Sequence, residues 1–292
     1  MSSSPINLND GTIIPPIGFG TGTGLYGSEC ADLVLSALNA GYRYLDSAQM
    51  YRNGSSIGEA LKRWEGGSRK DVYIVTKFGQ DGLKEEDWEP RKVLKEQMKL
   101  MGVDHVDLYL IHSPLFAKPN LQECWKTMEA LQKEGLTKSI GVSNFREEDI
   151  LEIKKVWTVP PTVNQIEYHP YVYHAPNMLR LRSLMDAHDI KIEAYGPLTA
   201  LFRSTGGPVE KVIRGIAEKH GSTEAQVHLA WAKQYGDGVI VTTSRNEGRQ
   251  KEQLASLDKV TLTADEVEQI AQAGKGRFFR FFMKHIWDEA KP

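Results

Sequence analysis

Short apolar runs alternate with amphipathic segments along the whole 292-residue chain. The apolar runs are rich in Val, Ile, Leu and Tyr, as buried strands are. They fall at residues 16–21, 42–48, 72–77, 106–112, 139–144, 162–168, 191–197 and 238–243. The segments between them repeat apolar residues at the spacing of a helix, as in RKVLKEQMKLMG. Strands that alternate with helices in this way predict an α/β fold with a parallel sheet.

The first residues follow a different pattern. In INLNDGTIIP, the triplet Asn9-Asp10-Gly11 separates two apolar stretches, which is typical of a β-hairpin. No linker or low-complexity segment interrupts the eight strand–helix units that follow. We therefore predict one domain over residues 1–292, a single (β/α)8 TIM barrel with an N-terminal β-hairpin.

One motif favours a different fold. Gly22-Thr23-Gly24-Leu25-Tyr26-Gly27 matches G-x-G-x-x-G, and Asp46 lies roughly 20 residues further on, as in a dinucleotide-binding Rossmann domain. The run before this motif, however, contains Pro15 and Pro16 and follows a hairpin. We prefer the interpretation that the motif is a loop of small residues at the mouth of the barrel, where a ligand approaches the backbone.

The composition excludes several functional classes. A formal net charge of −2 argues against a dedicated nucleic-acid binder. Cys30 and Cys124 are too few for a disulfide framework or a metal cluster, so we expect no metal and a cytoplasmic location. The chain shows no secretory signal and no apolar stretch of the ~18 residues that cross a bilayer, so no membrane partner is expected.

Polar residues stand at the carboxyl ends of three neighbouring apolar runs. Asp46 ends YRYLD, Lys77 ends VYIVTK and His112 ends VDLYLIH, while Tyr51 follows shortly after Asp46. The carboxyl ends of parallel strands share one face of a barrel, so these side chains can converge. Burying these polar side chains together costs free energy, so the cluster indicates a functional site. Its residue types are suited to polarising a carbonyl group and delivering a proton to it. Taken alone, Asp46 and Lys77 would form an ordinary structural ion pair.

Eight segments occur in the order typical of the aldo-keto reductase family, and the resemblance covers essentially the whole chain: DSAQMYRNG, TK, LIHSP, GVSNF, NQIEYHP, AYGPL, HGSTEAQVHLAW and VTTSRNEGR. The resemblance implies a barrel that binds NADPH in an extended pose, with a C-terminal tail over the active-site face. It also implies a catalytic tetrad of Asp46, Tyr51, Lys77 and His112. We further expect a monomer whose partner is a small carbonyl substrate.

The same resemblance implies the cofactor-binding residues. Ser143, Asn144 and Gln165 match residues that bond the nicotinamide amide, Tyr195 matches the aromatic side chain that stacks on the nicotinamide ring, and Arg249 matches the arginine that binds the 2′-phosphate. The remaining members of the set are Gly22, Thr23, Pro197, Leu198, Thr243, Ser244, Arg245 and Gln253.

Each tetrad residue has an expected role. A free Tyr has a pKa of about 10, so we expect the Lys77 ammonium to stabilise the phenolate of Tyr51 and ease proton release. Asp46 keeps the lysine charged and oriented. His112 donates to the carbonyl oxygen and helps to select its pose.

Three positions depart from the family pattern. Gly54 replaces a usual Glu, Thr243 replaces the lysine of the phosphate segment, and Gln253 replaces an adenine-facing Asn. The segment from Val241 to Ser244 resembles a subgroup of fungal reductases that act on conjugated polyketones and ketopantoyl lactone.

We predict NADPH-dependent reduction of aldehydes or activated ketones, such as α-dicarbonyls and keto-lactones, to alcohols. Two alternatives remain at this stage, a cofactor-binding regulatory module without significant turnover and an aldolase that forms a Schiff base on Lys77. In the tail KGRFFRFFMKHIW, Arg277 or Arg280 is available for an acidic or dicarbonyl group of the substrate. The phenylalanines of the tail have two possible roles: they line an apolar pocket, or they pack on the barrel exterior. They are Phe278, Phe279, Phe281 and Phe282.

Overall fold

The computed structural model describes residues 4–80, 88–117 and 120–287. Its strands are β1 (Ile6–Asn7), β2 (Ile13–Ile14), β3 (Ile17–Gly20), β4 (Tyr44–Asp46), β5 (Tyr73–Phe78), β6 (Val106–Ile111), β7 (Thr137–Ser143), β8 (Val163–Glu167), β9 (Lys191–Tyr195) and β10 (Val239–Thr242). Strands β3 to β10 form a closed parallel barrel, in which β10 pairs with both β9 and β3. All eight lie within two residues of the predicted runs, which confirms the (β/α)8 barrel.

Helices surround the barrel: α1 (Ala31–Ala40), α2 (Gly54–Arg63), α3 (Pro90–Met101), α4 (Leu121–Lys133), α5 (Glu147–Lys154), α6 (Pro176–Asp186), α7 (Thr199–Phe202), α8 (Pro208–Lys219), α9 (Glu224–Gly236), α10 (Glu247–Leu254), α11 (Ser256–Lys259), α12 (Ala264–Gly274) and α13 (Lys284–Trp287). Their starts follow local chemistry, since Thr223 and Thr263 form capping boxes before α9 and α12. One core lies between the strands and these helices, and a second fills the barrel interior.

The predicted hairpin is present and closes one end of the barrel. Strands β1 and β2 pair antiparallel, and Leu8 and Ile14 are buried in the same cluster as the inward-facing Val75, Leu108 and Val163. The hydroxyl groups of Thr12 and Ser139 lie 2.7 Å apart, which joins the hairpin to β7. The carboxyl ends of the barrel strands therefore form the open face.

The glycine motif does not begin a Rossmann unit. Residues Thr23–Leu25 form a short 3-10 turn directly after β3, on the open face of the barrel. Thr23 itself has a left-handed backbone, with φ of 54°. The interpretation of the motif as a loop at the barrel mouth is confirmed. The assignment of residues 1–292 to one domain stays a prediction.

In the described part of the chain, no helix is both long and apolar enough to cross a membrane.

The two adjacent residues of β2 give a stability test. Ile14 is fully buried, whereas Ile13 is 56% exposed. Because the cavity left by truncation adds to the lost burial, we expect Ile14→Ala to lower the free energy of unfolding by about 2–4 kcal/mol. Ile13→Ala is the matched control and should change it by less than about 0.5 kcal/mol. Urea unfolding of the three proteins measures both values, and equal losses would show that the hairpin does not close the barrel.

Candidate active site

Lys77 lies fully buried near the carboxyl end of β5, and all of its donors are used. Its ammonium nitrogen donates to Asp46 Oδ1 at 2.6 Å, to the carbonyl oxygen of Ser47 at 2.9 Å and to Tyr51 Oη at 3.2 Å. An ammonium has three N–H groups, so this set of oxygens fixes its orientation completely. The ion pair joins two neighbouring barrel strands, since Asp46 ends β4.

The position of Tyr51 is held by backbone contacts on both sides. Tyr51 ends a 3-10 turn, Gln49–Tyr51, that follows β4, and its carbonyl oxygen accepts from the N–H of Gly27 at 2.9 Å. The buried Asn53 donates to the carbonyl oxygens of Thr21 and Leu25. A Cβ at Gly22 would come within 2.8 Å of the Tyr51 ring, so the glycine is required for the ring to lie where it does.

The pKa of Tyr51 is set by its surroundings. Burial, followed by the negative charge of Asp46, raises this pKa well above 10. In the free site, burial and Asp46 thus act against release of the proton, and the expectation that Lys77 eases it stays a prediction. Lys77 donates to Tyr51 Oη, which leaves the hydroxyl hydrogen directed elsewhere. Tyr51 is a neutral O–H donor throughout the physiological pH range.

His112 lies beside Tyr51 and is uncharged. The two rings are edge-on, with centroids 5.6 Å apart. Burial, and then the positive charge of Lys77, lowers the pKa of His112 to about 3. Its Nδ1 atom has no hydrogen-bond partner in the described chain. A neutral imidazole beside a neutral phenol offers two hydrogen-bond donors to one incoming oxygen.

A second buried carboxyl lies beneath the tetrad. Glu193 Oε1 accepts from the hydroxyl of Tyr44 and from the amide of Gln165, and the same amide nitrogen donates to Asp46 Oδ1 at 2.9 Å. Burial, followed by repulsion from Asp46, raises the pKa of Glu193 to about 7. This polar layer crosses the barrel interior and links the ion pair to the opposite strands.

The four residues expected at the nicotinamide form one cluster. Tyr195 donates to Asn144 Oδ1 at 2.8 Å, and the Asn144 amide donates to Ser143 Oγ at 3.1 Å and to the carbonyl oxygen of His112 at 3.0 Å. Ser143 donates to the carbonyl oxygen of Gln165 at 2.9 Å. Asn144 has φ of 58°, a left-handed conformation that Asn tolerates better than most residues. The cluster therefore adjoins the tetrad through His112 and Asp46.

The residues expected at the phosphate and adenine lie after β10. Ser244 bonds the backbone of Asn246, and Asn246 caps α10 by accepting from the N–H of Arg249 at 2.9 Å. Gln253 is buried, and its Oε1 has no partner in the described residues. Arg245 donates to the carbonyl oxygen of Gly24, which joins this loop to the glycine motif.

Strand order places the remaining candidates on one arc of the open face. Pro197 and Leu198 follow β9, Thr243 follows β10, and Gly22 and Thr23 follow β3. These three strands are consecutive in the barrel, and β4 with the tetrad comes next. An extended ligand along this arc would pass from α10 to Tyr51.

The aromatic tail residues divide between two sites. Phe278 and Phe279 pack against the core between the barrel and the helices. Phe282 lies edge-on to Tyr195, with ring centroids 5.5 Å apart. The N–H groups of Phe281 and Phe282 donate to the buried carboxylate of Glu167 at 2.9–3.2 Å. This contact holds the tail beside the nicotinamide cluster.

The tail cations are engaged within the protein. Arg277 donates to the backbone and hydroxyl oxygens of Ser204 at 3.1 Å. Arg280 is 5% exposed, lies 4.5 Å above the Trp287 ring and has Nη1 3.7 Å from Glu167. The guanidinium of Arg280 nevertheless makes no hydrogen bond within the described residues.

Sequence reasoning missed two residues of the polar layer. Residues two positions apart on a strand face the same side of the sheet. Tyr44 precedes Asp46 by two positions, and Glu193 precedes Tyr195 by two, so Tyr44 and Glu193 face the barrel interior. This alternation of faces is the signal that could have found them.

Comparisons with known proteins show the family. A model described as the Aldo/keto reductase family matches residues 16–275. The chain belongs to the aldo/keto reductase family. It is therefore an oxidoreductase that reduces carbonyl groups.

Several relatives are similar to this aldo/keto reductase over most of their length. It is 34% identical to the NAD/NADP-dependent indole-3-acetaldehyde reductase of Schizosaccharomyces pombe over 94% of this chain and 97% of that one. It is 36% identical to the NADPH-dependent alpha-keto amide reductase of Saccharomyces cerevisiae, over 91% and 89% respectively. The crystal structure of a Bombyx mori aldo-keto reductase in complex with NADP matches with a TM-score of 0.84 and 28% identity, covering 98% and 97%.

The raised pKa of Glu193 predicts a pH-dependent stability of the reductase. The folded protein holds this proton to about pH 7, whereas a Glu in the unfolded chain loses it near pH 4.5. The stabilising contribution is complete below pH 4.5 and is lost as the pH rises through 7. Glu193→Gln cannot ionise at this position. Between pH 5 and pH 8 the free energy of unfolding of the natural protein should fall by an amount on the order of 3 kcal/mol, and that of Glu193→Gln should not.

Urea unfolding at both pH values measures this difference. Glu65→Gln, which changes an exposed carboxyl, is the control and should follow the natural protein. Parallel pH dependence of the natural protein and Glu193→Gln would contradict the raised pKa.

Proposed function

We propose that the protein uses NADPH to reduce aldehydes and activated ketones to alcohols, with Tyr51 as the proton donor. The observation that carries this proposal is the contact of the Lys77 ammonium with both Asp46 and Tyr51 Oη, at 2.6 and 3.2 Å. This contact places a neutral acid, the Tyr51 hydroxyl, beside a fixed positive charge, the Lys77 ammonium. Reduction of a carbonyl needs both, because an oxyanion develops and must receive a proton.

When bound, NADPH supplies the hydride. Tyr51 delivers its proton to the carbonyl oxygen, and the phenolate that remains lies against the Lys77 ammonium. The raised pKa of Tyr51 keeps the proton in place until negative charge develops on that oxygen. His112 is neutral, so it orients the carbonyl by hydrogen bonding and does not compete as an acid.

The residues of the open face fit this cofactor. Asn144, Ser143 and Gln165 offer amide and hydroxyl groups to the nicotinamide amide, and Tyr195 offers an aromatic face. The unpaired, buried Oε1 of Gln253 suits the amino group of adenine. Thr243 and Ser244 offer hydroxyl groups to phosphate oxygens, and Gly22, Thr23, Pro197 and Leu198 complete the arc.

The coenzyme preference rests on Arg249. The 2′-phosphate of NADPH carries close to two negative charges, which a guanidinium can bind bidentately. Arg249 is exposed in the first turn of α10, where its backbone is fixed by Asn246. The relatives named above use NADPH or both coenzymes. We propose a preference for NADPH over NADH of at least tenfold in kcat/KM, equal to about 1.4 kcal/mol.

The proposed substrates are small aldehydes, α-dicarbonyls and keto-lactones. The activities that give these relatives their names, on indole-3-acetaldehyde and on an alpha-keto amide, support an activated carbonyl. A monomeric state and a cytoplasmic location belong to the same proposal.

The aldolase alternative requires Lys77 as a neutral nucleophile within reach of a substrate. Lys77 is fully buried and donates to three oxygens, which disfavours that alternative. A regulatory module would bind NADPH without oxidising it. Oxidation of NADPH, followed by its absorbance in the presence of a reactive α-dicarbonyl, tests the proposed function, and coenzyme binding without turnover would favour the regulatory alternative.

Replacing the Tyr51 hydroxyl tests its role. We expect Tyr51→Phe to lower kcat by about 100-fold or more, the contribution of positioned acid catalysis, while the Kd for NADPH is nearly unchanged. Tyr26→Phe is a matched control, because the Tyr26 ring lies 5.5 Å from that of Tyr51. Steady-state kinetics and coenzyme fluorescence titration measure both quantities. A Tyr51→Phe enzyme that keeps most of its turnover would remove Tyr51 as the proton donor.

Replacing Arg249 tests coenzyme recognition. Losing a charge-assisted contact costs about 2–3 kcal/mol, so we expect Arg249→Ala to weaken NADPH binding by roughly 30- to 150-fold and to leave NADH binding almost unchanged. Lys251→Ala removes another cation from α10, one that pairs with Glu247, and should affect neither coenzyme. Fluorescence titration of the natural protein and both variants gives the six dissociation constants. Equal losses for both coenzymes would show that Arg249 supports the fold and does not recognise the phosphate.

A further inference from the structure

A cavity of about 290 Å³ opens beside the proposed proton donor. Its lining residues are Tyr26, Gly27, Met50, Arg52 and Gln80. The Tyr26 ring contacts the Tyr51 ring, and Met50 and Arg52 flank Tyr51 in the chain. The volume is at the small end of the range for ligand pockets, so it suits the distal part of a small substrate.

Arg52 is the charged residue in this lining. Its side chain is exposed, and within the described residues it makes no hydrogen bond or ion pair. Among the tail cations, Arg277 bonds Ser204 and Arg280 is buried against Trp287. Arg203 stacks on the Phe281 ring at 4.0 Å. A guanidinium without a partner among the described residues, in a cavity whose Tyr26 ring contacts the Tyr51 ring, is the unusual feature here.

The backbone of Arg52 is held in a conformation that arginine rarely adopts. Its φ is 55°, in the left-handed region. The contact between Gly27 N–H and the Tyr51 carbonyl on one side, and the buried Asn53 on the other, keep it there. Strained residues of this kind cluster at ligand-binding sites when the surroundings fix them. Here the fixed backbone sets the direction of the Cα–Cβ bond of Arg52 relative to Tyr51.

We propose that Arg52 is a specificity-determining residue that binds a carboxylate on the carbonyl substrate. The reacting carbonyl lies at Tyr51 and His112, while the carbon skeleton passes Tyr26 and Met50. A guanidinium matches a carboxylate through two parallel N–H···O bonds. The inference rests on the proposed function, and it directs the reductase toward keto acids and acid-bearing aldehydes.

A matched pair of substrates separates charge from shape. 4-Carboxybenzaldehyde and its methyl ester carry the same ring and the same aldehyde, and only the first is an anion. We expect the natural enzyme to have at least a tenfold higher kcat/KM for the acid, with the difference mainly in KM. Added salt should reduce this preference, because it screens an exposed charge pair.

Two variants locate the preference. Arg52→Asn keeps a residue that tolerates the left-handed backbone, and Arg52→Gln keeps a longer polar side chain. Both should lose the preference for the acid by at least tenfold while kcat/KM for the ester stays within about twofold. Lys62→Gln removes an exposed cation from the far end of α2 and should preserve the preference.

The outcomes distinguish the two proposals. Turnover of the ester without a preference for the acid, or an equal loss of both substrates in the Arg52 variants, would overturn the role of Arg52 and leave the proposed function intact. Failure of the natural enzyme to reduce either aldehyde with NADPH would overturn the proposed function, and the role of Arg52 with it.

Discussion

Burying the Lys77 ammonium inside the barrel is tolerable only because Asp46 lies on the adjacent strand. Removing either partner would leave an uncompensated charge in the interior, which costs more than the intact pair contributes. The pair has further support from Ser47, whose carbonyl oxygen accepts the second ammonium hydrogen, and from Gln165, which donates to Asp46. The third ammonium hydrogen is directed to Tyr51 as a consequence. The orientation of the proposed proton donor thus follows from the need to satisfy one buried charge.

The same constraint connects the proton donor to the proposed nicotinamide cluster. Gln165 bonds Asp46 on one side, and its carbonyl oxygen accepts from Ser143, which in turn bonds Asn144. Asn144 then bonds the backbone of His112. Hydride delivery and proton delivery require one carbonyl to meet two groups at once, and a shared rigid network keeps the distance between those groups constant.

Much of the fold and the tetrad could be predicted from the sequence, because both depend on local signals. Strand ends are marked by the change from apolar to polar residues, and in a parallel barrel all such ends share one face, which brings Asp46, Lys77 and His112 together. The pKa of Tyr51 could not be predicted, because it depends on how completely the folded barrel excludes water. Alternation along each strand indicates that Tyr44 and Glu193 face the barrel interior. It does not show that they touch, because they lie 149 positions apart in the chain and on strands that are not neighbours in the barrel.

The hairpin that closes the amino end of the barrel also restricts access to the proposed site. With Leu8 and Ile14 filling that end, two ligands that meet at Tyr51 must pass through the same opening. Under the proposed function, these ligands are the coenzyme, with contacts at Gln165 and Asn144, and the carbonyl substrate. A closed barrel end therefore gives both ligands one shared entrance, without any moving part to impose it.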